Sequence, residues 1–77
     1  ARKRKLTKEI QTTEERIALL ETQKKELDHI LLDPTLYNNK ERAVEINKQH
    51  KTTIQELNTL YNRWDTIHAE LESVNDN

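Results

Sequence analysis

The 77 residues contain no glycine, no cysteine, no methionine and no phenylalanine, and only one proline and one tryptophan. Without glycine there is no loop of the kind that cradles ATP phosphates, because such loops need backbone freedom that only glycine supplies. Without cysteine there is neither a disulfide framework nor a thiolate metal site, and the lack is what a reducing cytoplasm would lead one to expect. The longest aliphatic run is Ile30-Leu31-Leu32, too short to span a bilayer. The basic start, Arg2 to Lys5, is not followed by the apolar stretch of a signal peptide. With 35% of its residues charged and 32% hydrophobic, the chain has enough material for one domain but not for a thick globular core. It begins with alanine, as expected of a piece of a longer protein.

What the chain does have is two seven-residue ladders. The first steps by alternating four and three residues through Leu6, Ile10, Thr13, Ile17, Leu20, Lys24, Leu27 and Leu31. The second runs through Ala43, Ile46, His50, Thr53, Leu57, Leu60, Trp64, Ile67, Leu71 and Val74. Such spacing holds one narrow apolar seam against a partner helix, with left-handed supercoiling reconciling a 3.6-residue helix to a 3.5-residue repeat. The ladders mirror each other about Asn38 and Asn39, so the predicted fold is all-α, an antiparallel two-helix coiled-coil hairpin filling residues 1–77 as a single domain.

The predicted first helix covers residues 4–32, the connector 33–39 and the second helix 40–75. Pro34 disfavours helical backbone at Asp33 but suits the opening of a new turn, so Pro34 to Tyr37 should form one short helical turn capped by Asp33. Asn39 is the expected cap of the second helix, with Asn38 a competitor because Glu41 follows it at capping-box spacing. Leu36 and Tyr37 should fold back over Leu31, Leu32 or Val44.

The favoured register sets Leu31 opposite Ile46, Leu20 opposite Leu57, Ile17 opposite Leu60, Ile10 opposite Ile67 and Leu6 opposite Leu71, all aliphatic layers. It also places Lys24 against Thr53 and small Thr13 against Trp64. A slip by one heptad breaks most of these layers and leaves Leu20 against His50. The slip would improve the flanks by pairing Arg16 with Glu56, whereas the favoured register is expected to bring Arg16 near Arg63. Exposed ion pairs contribute roughly 0–1 kcal/mol each, less than an aliphatic layer, so the layers should decide.

A formal charge of −1 conceals an uneven distribution. Residues 1–32 carry eight Lys or Arg against six acids, and residues 33–77 carry five against eight. The basic end, Arg2, Lys3, Arg4, Lys5 and Lys8, should lie beside Glu70, Glu72 and Asp76 in an antiparallel hairpin and be partly neutralised by them. Two readings of this cluster stand open, a solvated helix start and a set of phosphate contacts, since clustered Arg and Lys bind phosphate largely without regard to sequence. Lys25, Lys40, Arg42, Lys48 and Lys51 sit among acids and read as solubilising.

Catalysis has little to work with. His29, His50 and His68 are not at helical ligand spacing, and Glu14 with Glu15 lies on a solvated face without a cleft in which a pKa could shift. Lys24 should pack its stem in the seam and extend its ammonium to water. Trp64 reads as a core residue.

The connector Leu32-Asp33-Pro34-Thr35-Leu36-Tyr37, followed by Leu60-Tyr61-Asn62-Arg63-Trp64 with Ile67 and Leu71 beyond, resembles the C-terminal coiled-coil domain of the ABC-F ATPases, Uup type. The lead-in Lys3-Arg4-Lys5-Leu6-Thr7 is similar as well, while Asn39-Lys40 replaces a frequent Asp-Pro. The resemblance implies that the chain is the non-catalytic tail of a cytoplasmic protein with two ATP-binding cassettes. ATP and Mg would belong to those cassettes, and this chain itself would hold no cofactor and no metal. It further implies partners among nucleic acids, DNA or ribosomal RNA, with Arg2, Lys3, Arg4, Lys5 and Lys8 as the contacting residues. The competing expectation is structural: a coiled coil that positions or regulates the cassettes, or docks a protein or a second copy of itself, through Leu19, Ile54 and Tyr61.

Overall fold

In the computed structural model, which describes residues 2–75, two long helices lie side by side and no strand is present among the described residues. Helix α1 is Arg2–Leu31 and helix α2 is Lys40–Asn75, joined through a 3-10 turn at Pro34–Asn38. The hairpin measures 60 × 15 × 14 Å, with a radius of gyration of 17.3 Å. A compact globule of this length would have a radius near 11.5 Å, so the chain is a rod. The first helix starts two residues earlier and ends one residue earlier than its heptads alone predict; α2 begins where expected.

The connector shows why α1 stops at Leu31. The amides of Leu32 and Asp33 reach back only three residues, to the carbonyls of His29 and Ile30 at 3.2 and 3.1 Å, which tightens the last turn. Pro34 then holds Asp33 in extended backbone, with φ −77° and ψ 115°. From there the Asp33 carboxylate accepts the Thr35 amide at 2.9 Å and the Thr35 hydroxyl at 2.8 Å, fixing the start of the 3-10 turn. These two donors, the amide first, hold the Asp33 carboxyl below the usual carboxylate range. Asn39, not Asn38, caps α2: its side-chain oxygen accepts the Arg42 amide at 3.1 Å.

Leu36 is drawn under the turn, 4% exposed, against Leu27 and Ile46, with Ile30, Leu31 and Ala43 around them. Tyr37 departs from the sequence expectation, because its ring stays exposed and only its hydroxyl returns, donating to the Leu31 carbonyl at 3.2 Å. Leu32 and Val44 are exposed as well and form no lid over the connector. Both lie one residue past a seam position, which turns them away from the partner helix.

The seam is buried unevenly. Leu6, Ile10, Thr13, Leu20 and Leu27 of α1 and Ile46, Thr53, Leu57 and Ile67 of α2 are closed off, whereas Ile17, Lys24, Leu31, His50, Leu60, Trp64 and Leu71 are only half-buried. Thr13 and Thr53 sit inside without unpaired hydroxyls, since each donates to the carbonyl four residues earlier, Glu9 at 2.7 Å and Gln49 at 2.9 Å. The favoured register holds: Leu6 and Ile10 cluster with Ile67, Leu71 and Trp64 at one end, and Leu27 and Leu31 with Ile46 and Ala43 at the other. The flank expectation fails, because Arg16 bonds Glu56 at 3.2 Å without any slip. An arginine side chain is long enough to bridge the axial offset, and both partners are exposed enough to move freely.

Candidate nucleic-acid interface

The helical start at Arg2 places all five basic residues on the first two turns of α1, where the rise is 1.5 Å per residue. Arg2, Lys3, Arg4, Lys5 and Lys8 are all exposed. Arg4 and Lys8 are one turn apart and, with Lys3, Thr7 and Gln11, line one shallow groove. Among the described residues none of the five basic side chains is in an ion pair. The expected neutralisation therefore takes no form of direct pairing with Glu70 or Glu72, which are themselves exposed, and Asp76 lies outside the described residues. Long solvated side chains gain little from holding one geometry, so these charges stay available to an outside anion.

A second constellation sits across the seam, and heptad reading missed half of it. Asp28 of α1 lies 2.6 Å from Nε2 of His50 and 3.1 Å from Nζ of Lys24. Because an ionised carboxylate only accepts, the His50 ring must present its Nε2 proton to Asp28. Lys24 stays on its own helix, its ammonium meeting Asp28 one turn on. The hydrogen bond from His50, then that from Lys24, holds the Asp28 carboxyl below its ordinary range. The i,i+4 spacing of Lys24 and Asp28 was visible in the sequence; the reach of His50 to Asp28 was not.

A lowered carboxyl stabilises the fold fully above its unfolded value, near 3.8, and that contribution disappears as pH falls through the still lower folded value. The thermal midpoint of the parent chain should therefore exceed that of Asp28→Asn at neutral pH, and the gap should close below about pH 4. Thermal unfolding followed by circular dichroism across that range tests this; a gap that stays constant through acid would show that Asp28 contributes nothing by its charge.

His29 is exposed in the last turn of α1. His68 packs on Trp64 with ring centroids 4.0 Å apart and planes tilted by 55°, its Nε2 closed from solvent without a hydrogen-bond partner. Among the described residues no three His, Asp or Glu side chains converge as a metal site. Tyr61 donates to Glu21 at 2.9 Å across the seam, and that bond to the carboxylate raises the phenol above its ordinary pKa of 10. No helix among the described residues is long and apolar enough to cross a membrane.

The model of one protein family, described as the ABC transporter C-terminal domain, matches residues 2–73. No curated protein and no solved structure matches the chain. The matched segment takes in α1, the 3-10 turn and α2 to within its last turn. A helical hairpin of this build, with its Asp33-Pro34 connector, is thus an accessory domain of an ABC protein, and the chain belongs to the ABC transporter C-terminal domain family.

Proposed function

We propose that the hairpin is a non-catalytic arm through which an ABC-F protein of the Uup type touches nucleic acid, DNA or ribosomal RNA, in the cytoplasm. ATP hydrolysis belongs to cassettes elsewhere in the parent protein, and the arm works by placing charge, not by chemistry. The observation that carries this reading is the set of five exposed cations, Arg2, Lys3, Arg4, Lys5 and Lys8, on consecutive turns at one end of a 60 Å rod and in no ion pair among the described residues. Phosphate contacts of this kind neutralise backbone charge and release counterions, so they need no base-reading pocket. The ABC-F assignment rests on the Leu32 to Tyr37 connector and the Leu60 to Trp64 segment, set within a chain that belongs to the wider ABC family.

Salt dependence tests the reading. The affinity for duplex DNA should fall with a log-log slope of about −0.9 per neutralised phosphate, hence between about −4 and −5 if all five cations engage. Removing residues 1–5 should abolish retention on DNA and on ribosomal RNA while leaving most of the helicity in place. Undiminished affinity in that truncation, or a slope near zero, would overturn the proposal.

A further inference from the structure

One flank of the rod is more open than the other. Heptad geometry puts Ile17, Lys24, Leu31, His50, Trp64 and Leu71 on the same side of the seam, and all six are half-buried, whereas most seam residues of the opposite side, Leu6, Leu20, Leu27, Ile46 and Ile67 among them, are closed off. On this flank Ile17, Ala18, Trp64 and Tyr61 form the floor and wall of an apolar depression of about 280 Å³, rimmed by Glu14. Tyr61 is 43% exposed there, and Ile54, one heptad before it, continues the stripe.

Charge is segregated along the same flank. Toward the open end of the hairpin it carries Glu14 and Asp65; toward the turn it carries Lys25 and Lys51. All four are exposed, and among the described residues none is in an ion pair. The other charges on the flank's middle are already engaged, Glu21 with Tyr61, and Asp28 with Lys24 and His50. Asn58 stands one heptad from Lys51 and one heptad from Asp65, and Ala18 one heptad from Lys25, so the acidic and basic zones lie about equally far from the middle of the rod.

We propose that this flank is the seat of a second copy of the same chain, laid antiparallel to form a four-helix bundle about a two-fold axis near Asn58. Turning one rod end for end sets Glu14 and Asp65 of each copy opposite Lys25 and Lys51 of the other, twice over, as an isologous interface requires. The same rotation brings Ile54 of one copy to the depression beside Tyr61 of its partner. A parallel arrangement would instead face acid with acid and lysine with lysine. The face is 60 Å long and 15 Å wide, which is sufficient for the roughly 800 Å² that a standard interface takes from each partner. The pairing does not depend on the nucleic-acid reading: Arg2 to Lys8 lie at the end of the rod, clear of its middle.

Sedimentation equilibrium of the 77-residue chain, without nucleic acid, should show a mass rising from 9.2 kDa toward twice that value as concentration increases. Lys25→Glu with Lys51→Glu, and separately Glu14→Lys with Asp65→Lys, should each weaken self-association by about tenfold or more, because like charges then meet in both zones. Mixing the two variants should restore association close to the parent level, since every reversed zone meets its complement. Circular dichroism confirms that each variant retains its helicity, which exposed and unpaired positions should allow. A chain that stays at 9.2 kDa at the highest concentrations, a dimer indifferent to charge reversal, or a mixture no tighter than its components would each overturn the proposal.

Discussion

Replacing Leu20 by alanine should destabilise the hairpin by about 2–4 kcal/mol, a large part of what a domain of this size has to lose. Leu20 is the least accessible member of the core at 2%, and Leu57, its expected layer partner, is 4% exposed. Together they stand between the cluster of Leu6, Ile10 and Ile67 and the cluster of Leu27, Leu36 and Ile46. Toward the turn the next seam positions are polar, Lys24 and Thr53, so that side offers no aliphatic volume to relax into the space left behind, and toward the open end only the half-buried Ile17 and Leu60 can do so. The adjacent Leu19 supplies the control. At 49% exposure its truncation should cost less than about 1 kcal/mol. Urea unfolding of both variants measures the difference, and equal losses would mean that Leu20 is not where the two helices are held. In the Leu20→Ala, Leu57→Ala pair, the double variant should lose less than the two single losses added, as contacting residues do.

Leu36→Ala is expected to cost about 2–3 kcal/mol, although it lies in the connector and not on either helix. Its side chain is 4% exposed and closes the end of the seam over Leu27 and Ile46. The turn is shaped to deliver it there, with Asp33 gripping the Thr35 amide and hydroxyl and Asn39 returning its own amide to the Leu36 carbonyl at 3.2 Å. Tyr37→Phe removes only a hydrogen bond from an exposed hydroxyl to the Leu31 carbonyl and should cost about 1 kcal/mol or less. Loss of Leu36 should also open the turn to limited proteolysis near Asn38 and Asn39. A Leu36→Ala chain as stable and as resistant as the parent would show that the seam ends below the connector, at Leu31 and Ala43.

Much of this architecture was readable because it is written at short range. The ladders demanded two amphipathic helices, and Asp33-Pro34 demanded a break between them. Asn39 offered the oxygen that the first free amides of α2 needed. The aliphatic layers chose the register without help from the flanks. The candidate contact residues were equally plain, since five cations among the first eight residues need no fold to be noticed. Their freedom was not plain: Glu70 and Glu72 were expected to engage them, and whether exposed chains pair depends on rotamers that sequence does not specify. Tyr37, Leu32 and Val44 misled in the opposite direction, because hydrophobicity alone does not say which way a residue beside a turn will face.

The amino-acid sequence by itself determined an antiparallel hairpin in one register, since a seven-residue repeat is a local property that each helix carries along its own length. Only the tertiary structure decided that Arg16 reaches Glu56, that His50 joins Lys24 at Asp28, and that one flank of the seam is left more open, with Glu14, Asp65, Lys25 and Lys51 outside any ion pair among the described residues. Those outcomes depend on axial offsets of a few ångströms and on side-chain reach between helices, quantities that exist only once the two helices lie against each other.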